Sequence, residues 1–467
     1  ADAADTVYVE PLTVEHVLGI CRLEKPIGVI AQFGGSAAEK LIPALQAEGI
    51  HILGTNPDSL KLAGDWHQFQ TMMNKTGIPM PESGSATSAE DGLTIAGQIG
   101  YPVVLHMGTT KKIVHDAATL EMILQKADIT PDRPAYIDRF LHTALKCEAD
   151  AVSDGRQVFI PAVMEHIELA GIHSGDSACV IPSRHIAGEA LNQIQEYTKQ
   201  IASAFHVTGL MNIRYAIEDD QVYVLEVNLG GSRTMPLVSK LCHIPLPEVA
   251  AEVMTLPLTG KASPVPSLKE RHVPFYGVKE AVFPFDMFPE VDPVLGPEMR
   301  STGEVLGLAK TSGEAFYKAE EAAGGTLPLE GAVLISVSDA DKPYIAAIAQ
   351  EFAEDDFAIY ATDKTFELLQ AACIPVKRAN KLGEGSPNIE DLIADGTVQM
   401  VINTPSVRKD VADDDGALRK AAVRAHIPYV TTIVAAKASM EGIHRMITHG
   451  RSPVLSLQEW QHSITDK

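Results

Sequence analysis

No run of about eighteen apolar residues occurs in the 467-residue chain, so no helical membrane span is expected. Cysteine is scarce. The five present (Cys21, Cys147, Cys179, Cys242, Cys373) are odd in number and widely scattered. That pattern excludes a disulfide framework and a clustered zinc ligand set, and suggests buried thiols in a reducing cytoplasm. An excess of positive charge is also lacking: 38 Lys and Arg stand against 61 Asp and Glu, a formal net charge of −23. This excludes nucleic acid as an expected partner. A local basic pocket can still sit in an acidic protein, so nucleotides stay open. The first residues are polar and acidic, not basic and then apolar, so a signal peptide is not expected. No internal repeat or low-complexity linker stands out.

What is present is ordinary globular composition, 45% hydrophobic and 21% charged. The length calls for two to four domains. Residues 1–65 alternate strand and helix patterns. Ile27 to Phe33 is a continuous apolar run, expected as a strand buried on both faces. Gly34-Gly35-Ser36 turns it into a helix expected over Ala37 to Glu48, and a strand at His51 to Leu53 follows. Asn56-Pro57-Asp58 caps the next helix. Residues 66–325 read as α+β. Strands are expected at Val103 to His106, onward to Val114, at Ala135 to Phe140, Met211 to Ile217 and Val222 to Val227, with a helix over Ala187 to Ala204. From 329 to 467 the pattern resets to parallel α/β. Strands are expected at Val333 to Val337, Ala358 to Ala361, Gln399 to Ile402 and Tyr429 to Ile433, with helices between them, enough for a domain that folds by itself.

Two stretches carry chemistry. Met164 to Cys179 packs two Glu, two His and an Asp between apolar runs. A core strand does not need so many ionisable groups. They suit a polar loop across the mouth of a sheet, or equally a hydrogen-bonded surface turn built on Gly171, Ser174 and Gly175. In Tyr223 to Asn228, Glu226 and Asn228 are two apart on a predicted strand and leave the same face. A carboxylate beside a carboxamide is an oxygen-only pair suited to Mg²⁺ on a nucleotide phosphate. Arg233, just past Gly230-Gly231, could neutralise phosphate charge.

The segments MEHIELAGIHSGDSA (164–178) and VYVLEVNLGGSRTMPLVSK (222–240) resemble the second ATP-grasp half of the carbamoyl phosphate synthetase large subunit. Val278-Lys279-Glu280 and FPEVDPVLGPEMRSTGEV (288–305) are similar to the same family, and the resemblance covers nearly the whole chain. It implies a partial pre-ATP-grasp domain (1–65) whose first strand lies outside this sequence. An ATP-grasp domain (66–325) and a methylglyoxal-synthase-like allosteric domain (329–467) would follow. It implies ATP-dependent phosphorylation of carbamate, with Arg139, Leu141, Gly171, Ile172, His173 and Ser174 along the nucleotide. Glu226 and Asn228 would sit at Mg²⁺ (Mn²⁺ and K⁺ as further candidates), and Arg233 with Asn228 at the transferred group. Implied partners are the other synthetase half and a glutaminase subunit, neither of them in this sequence.

The chain departs from the family at His106 (an Arg there), at a loop 107–112 about five residues shorter, and at Lys146 (a Glu), Arg214 (a Gln) and Gly230 (an Arg). A guanidinium cannot ligate a cation, so a catalytically relaxed pseudoenzyme acting as an effector-binding regulatory or assembly module is the alternative. The effector positions are kept. Glu168, Asp176 and Glu280 match carboxylates that hold ornithine. Lys342, Thr362, Thr365, Lys381, Asn403 and Thr404 match positions that hold a nucleotide monophosphate such as UMP or IMP. The plainer reading of the latter set is exposed lysines and helix caps.

Overall fold

The computed structural model describes residues 4–467 except 109, 142–143, 169–170, 187, 297, 383 and 406–408. Near the N-terminus the expected strand Ile27 to Phe33 does not form. Val29 makes a single parallel bridge to Ile52, and Ile27 is 74% exposed. Among the described residues no strand flanks this pair, so hydrogen bonding stops at one rung. The helix expected over Ala37 to Glu48 is two pieces, Gly35–Glu39 and Ile42–Ala47. Pro43 has no N–H and its ring would clash with the carbonyl four residues back, so a continuous helix cannot pass it. Asn56 caps Pro57–Gly64 as expected, its side chain accepting from Asp58 N–H.

Two antiparallel sheets follow. The smaller holds β1 (Ser83–Ala86), β2 (Val103–Met107), β3 (Thr110–Val114) and β4 (Ala135–Arg139), in the order β1-β4-β2-β3. The larger begins with β5 (Leu145–Asp154), β6 (Val158–His166), β7 (Cys179–Ile181), β8 (Thr208–Glu218) and β9 (Gln221–Asn228). After the short β10 (Arg271–His272) it is completed by β11 (Tyr276–Val282) and β12 (Gly303–Ala309), giving the order β12-β11-β7-β6-β5-β8-β9. The stretch read as one polar loop is a loop only over the described residues 167–168 and 171–178, since Met164 to His166 finish β6. Asp219 and Asp220 close the β8–β9 hairpin with φ of 50° and 61°, the left-handed pair a two-residue turn requires. The helix Gly188–Ala204 presents Ile194, Thr198, Ile201 and Ala202 on one stripe to this sheet. Each isoleucine buried there contributes about 1.5–3 kcal/mol.

The C-terminal sheet is parallel: β13 (Ala332–Ser336), β14 (Ala358–Thr362), β15 (Lys377–Ala379), β16 (Met400–Asn403) and β17 (Tyr429–Val430), in the order β15-β14-β13-β16-β17. The last strand is shorter than expected. Thr432 accepts from Ala435 N–H and starts the helix Ile433–His449, so Ile433 is helical. This sheet does not keep its core to itself. Val333, Ile335 and Ile345 share one apolar cluster with Ile167, Val180 and Val278 of the preceding sheet. The helices Ser312–Ala323 and Ile433–His449 cross at glycines. A Cβ on Gly313 would lie 2.9 Å from Glu441 O, and one on Gly442 would lie 3.0 Å from Gly313 O. The chain then returns to the earlier sheet. β18 (Thr465–Asp466) pairs with β10, and the Trp460 ring lies 5.1 Å from that of Phe275. Of the five thiols four are buried, while Cys373 is exposed.

Candidate nucleotide site and effector pockets

A cavity opens between the two antiparallel sheets. Its floor is Lys146 of β5, Arg214 of β8, and Leu225 and Glu226 of β9. Its roof is Val104 and His106 of β2 with Lys111 and Ile113 of β3. Arg139, Leu141, Gly171, Ile172 and His173 close one end, so five of the six positions expected along a nucleotide meet here. Gly171 is fixed by close approach, because a Cβ there would lie 2.3 Å from Ile113 Cδ1. Val104, Ile113, Leu141, Ile172 and Leu225 supply an apolar face.

The polar end is crowded with cations. Glu226 Oε2 lies 2.6 Å from Lys111 Nζ and 3.1 Å from Arg214 Nη1. Arg214 Nε is 3.3 Å from Glu148 Oε1. Lys146 is fully buried and donates to Ile172 O at 2.7 Å. Burial lowers its ammonium to about 8, against the pull of Glu148. Burial would raise the Glu226 carboxyl, but Arg214 and Lys111 outweigh it and hold the group ionised. Arg139 pairs with Glu218 at 2.8 Å. His106, in the roof, is held by its neighbours: its Nε2 is 2.7 Å from Asp138 Oδ2, and its ring stacks on Trp66. The short loop after β2 is a tight hairpin in which Met107 pairs with Thr110 and Gly108 takes φ 57°. Thr109 lies outside the described residues.

Three expected positions behave differently. Ser174 is buried and its hydroxyl donates to Glu148 Oε1, away from the cavity. Asn228 donates its amide to Gly231 O at 3.3 Å. Arg233 is exposed and does not line the cavity. Sequence reasoning missed the hub behind the floor. Glu148 lies 3.3 Å from His166 Nε2 and accepts from Asn212 at 3.2 Å, as well as meeting Arg214. Burial opposes its ionisation, but His166, Arg214 and Lys146 hold it well below the usual carboxylate range. Asp150, two residues on, accepts from Ser232 and Thr234 at 2.6 and 2.9 Å, and burial raises it to about 6. The signal was the alternation Lys146, Glu148, Asp150, which puts all three on one face.

These residues do not fit a protein-held divalent ion at Glu226. Its carboxylate already faces two cations, and a metal there would meet each with a repulsion of about 4 kcal/mol per unit charge pair at 4 Å. Among the described residues no three His, Cys, Asp or Glu are placed to share a metal.

A second cavity lies between the grasping sheets and the C-terminal domain, and it gathers Glu168, Asp176 and Glu280 with an unforeseen fourth acid, Glu320. Thr432 donates to Glu168 at 2.9 Å. Asp176 is satisfied by Arg300 and Ser301 N–H at 2.7 and 2.9 Å. Burial raises Glu168 and Glu280 to about 7, and raises Glu320 further with help from both. Lys279 turns the other way, donating to the carbonyls of Ser174, Gly175 and Ser177 at 3.4, 3.0 and 2.7 Å.

The third set gathers at the C-terminal ends of β13, β14 and β16, where open parallel sheets hold ligands. Thr362 bonds Ser336 at 2.8 Å, Thr365 accepts from Val337 N–H at 3.4 Å, and Thr404 accepts from Ser338 N–H at 2.9 Å. Asn403 donates to Ser336 O at 3.0 Å. Lys342 pairs with Asp339, and Lys381 with Asp363 at 3.0 Å.

Residues 65–257 match the carbamoyl-phosphate synthase L chain ATP-binding domain, residues 1–62 its preATP-grasp domain, and residues 344–431 the MGS-like domain. The carbamoyl phosphate synthase large chain of Gemmatimonas aurantiaca is 46% identical over 99% of this chain, which spans 42% of that protein. The large chain, C-terminal section, of Aquifex aeolicus is 43% identical over 95% of this chain and 86% of its own length. In fold the chain is similar to the Hydrogenobacter thermophilus 2-oxoglutarate carboxylase biotin carboxylase domain bound to MgADP, ADP and bicarbonate. That likeness has TM-score 0.51 and 15% identity, and covers 62% of this chain and 67% of that one. The multidomain α/β architecture is therefore the expected one, an ATP-grasp joined to an MGS-like domain. The chain belongs to the carbamoyl phosphate synthase large-chain family and corresponds to its C-terminal section.

Proposed function

We propose that this chain phosphorylates carbamate with ATP, yielding carbamoyl phosphate and ADP for pyrimidine and arginine synthesis. A carbamate oxygen forms a bond to the γ-phosphorus as the bond to the β,γ-bridging oxygen breaks. The observation that carries this reading is the convergence of Lys111, Lys146 and Arg214 at one end of an apolar slot between two sheets. Such a transfer asks the protein for positioning and charge stabilisation and little else. His173 is anchored by its N–H to Gly296 O at 2.8 Å, fixing the loop along the slot.

ATP or ADP with Mg²⁺ is the cofactor set to expect, a MgADP complex standing among the similar folds. Mn²⁺ and K⁺ are narrower candidates. Relatives named as a C-terminal section support a separate N-terminal half as partner, and ammonia would come from a glutaminase subunit. The acidic cavity suits ornithine, and the threonine-rich edge of the parallel sheet suits UMP or IMP. The test is ATP formation from ADP and carbamoyl phosphate by this chain. Glu226→Ala frees Lys111 and Arg214 from their shared anchor and should lower that rate at least tenfold. An unchanged rate would remove Glu226 from the site. Nucleotide binding without turnover in the parent would leave an effector-binding module instead.

A further inference from the structure

The ion pairs in the nucleotide cavity have a bearing on how phosphate is held. Glu226 offers its Oε2 to both Lys111 and Arg214. Arg214 is braced from behind by Glu148. Lys146 is buried beside them with a neutral carbonyl as its acceptor, and has no carboxylate in ion-pair range among the described residues. Burial still lowers its ammonium against the attraction of Glu148 and Glu226. An anion entering the slot adds a further counter-charge. Three cations, Lys111 on the edge strand β3 of the smaller sheet and Lys146 and Arg214 on the neighbouring strands β5 and β8 of the larger, thus line one slot together with the apolar Val104, Leu141 and Leu225. A ligand with a flat apolar head and a polyanionic tail matches both ends.

We propose that Lys111, Lys146 and Arg214 grip the nucleotide phosphates directly and stand in for a protein-held divalent ion, so nucleotide affinity does not depend on Mg²⁺. Magnesium, when present, rides on the phosphates. Lys111, which is 39% exposed, is the group that swings from Glu226 to the incoming phosphate. Arg214, fixed by two carboxylates, stays in place.

This inference rests on the nucleotide reading of the cavity, and the experiment separates the two. ADP is titrated calorimetrically into the full chain, once in EDTA and once in excess Mg²⁺. The expected dissociation constants agree within threefold. In EDTA, Arg214→Gln and Lys146→Met should each weaken binding at least tenfold, with melting curves showing that both remain folded. Lys111→Arg should keep most of the affinity that Lys111→Gln loses. Binding that Mg²⁺ tightens tenfold or more overturns the proposal while keeping the nucleotide site. Tighter Mg²⁺-dependent binding by Arg214→Gln overturns it too, because a restored carboxamide would then be ligating metal. No binding under either condition removes the proposal and the nucleotide reading together.

Discussion

Arg419 of the C-terminal domain clasps Asp292 of the preceding domain through Nε and Nη2, at 2.8 and 2.6 Å, while its Nη1 donates to Asn403 Oδ1 at 2.6 Å. One side chain therefore ties the floor of the UMP/IMP candidate site to the segment 288–302. That segment also holds His173 through Gly296 and Asp176 through Arg300 and Ser301. Arg419 is 3% exposed, so truncation leaves a buried Asn403 oxygen without this donor. Arg419→Met should cost about 2–4 kcal/mol in urea unfolding, more than Asp292→Asn. Equal losses in the two variants would show that the bond to Asn403 contributes nothing.

Lys279 is predicted to be structural. Its ammonium caps three carbonyls of the 174–177 turn inside the protein. Lys279→Met removes all three bonds and should destabilise by about 3 kcal/mol. The denaturant midpoint should fall at an unchanged slope. A midpoint equal to the parent's would mean that water satisfies the turn.

The acidic cavity gives a pH dependence of definite sign. Glu168 and Glu280 titrate near 7 in the fold because burial penalises their charge, against 4.5 when unfolded. Their contribution is fully present below about pH 4.5 and is lost as pH rises through 7. Melting temperature should fall between pH 6 and pH 8, and less steeply in Glu280→Gln. Ornithine, bringing positive charge to the ionised acids, should stabilise more at pH 8 than at pH 6. Equal ornithine shifts at the two values would remove the acids from its recognition.

For the nucleotide monophosphate, the full chain with UMP or IMP at a hundred times its dissociation constant should gain about 2.7 kcal/mol. Thermal shift reads this directly. Lys381→Ala should reduce the gain, since it removes the cation paired with Asp363, which lies between Thr362 and Thr365 in the chain. An equal shift in that variant would place the phosphate elsewhere.

The sheets were legible from the sequence because apolar alternation and turn residues sit where strands end. Asn56, the Asp219-Asp220 turn and the pairing of Glu226 with Asn228 on one face all declared themselves locally. The grouping of Glu168, Asp176 and Glu280 was legible only through the family motifs. Orientation was not legible. Ser174 could face nucleotide or Glu148, and only the packing of β5 beneath it decides. Glu320 lies on a helix far along the chain, and its place in the acidic cavity depends on how two domains meet. Ile27 to Phe33 misled because a parallel strand needs neighbours, which no local pattern reports.

The pairing of β10 with β18 joins residues roughly 190 apart, so closing it costs more chain entropy than any hairpin in the molecule. The entire parallel-sheet domain lies inside that loop. The return is two rungs, the burial of Trp460 against Phe275, and the ion pairs of Asp466 with Arg271 and Lys269 and of Lys467 with Glu270. This clasp should form last in refolding and open first on warming, well before either sheet loosens. Hydrogen exchange would then show the amides of β18 and Lys467 unprotected while those of β5 and β8 remain shielded. Opening that clasp would release residues 465–467 from the earlier sheet while the apolar cluster of Val333, Ile335 and Ile345 with Ile167, Val180 and Val278 still holds the two domains together.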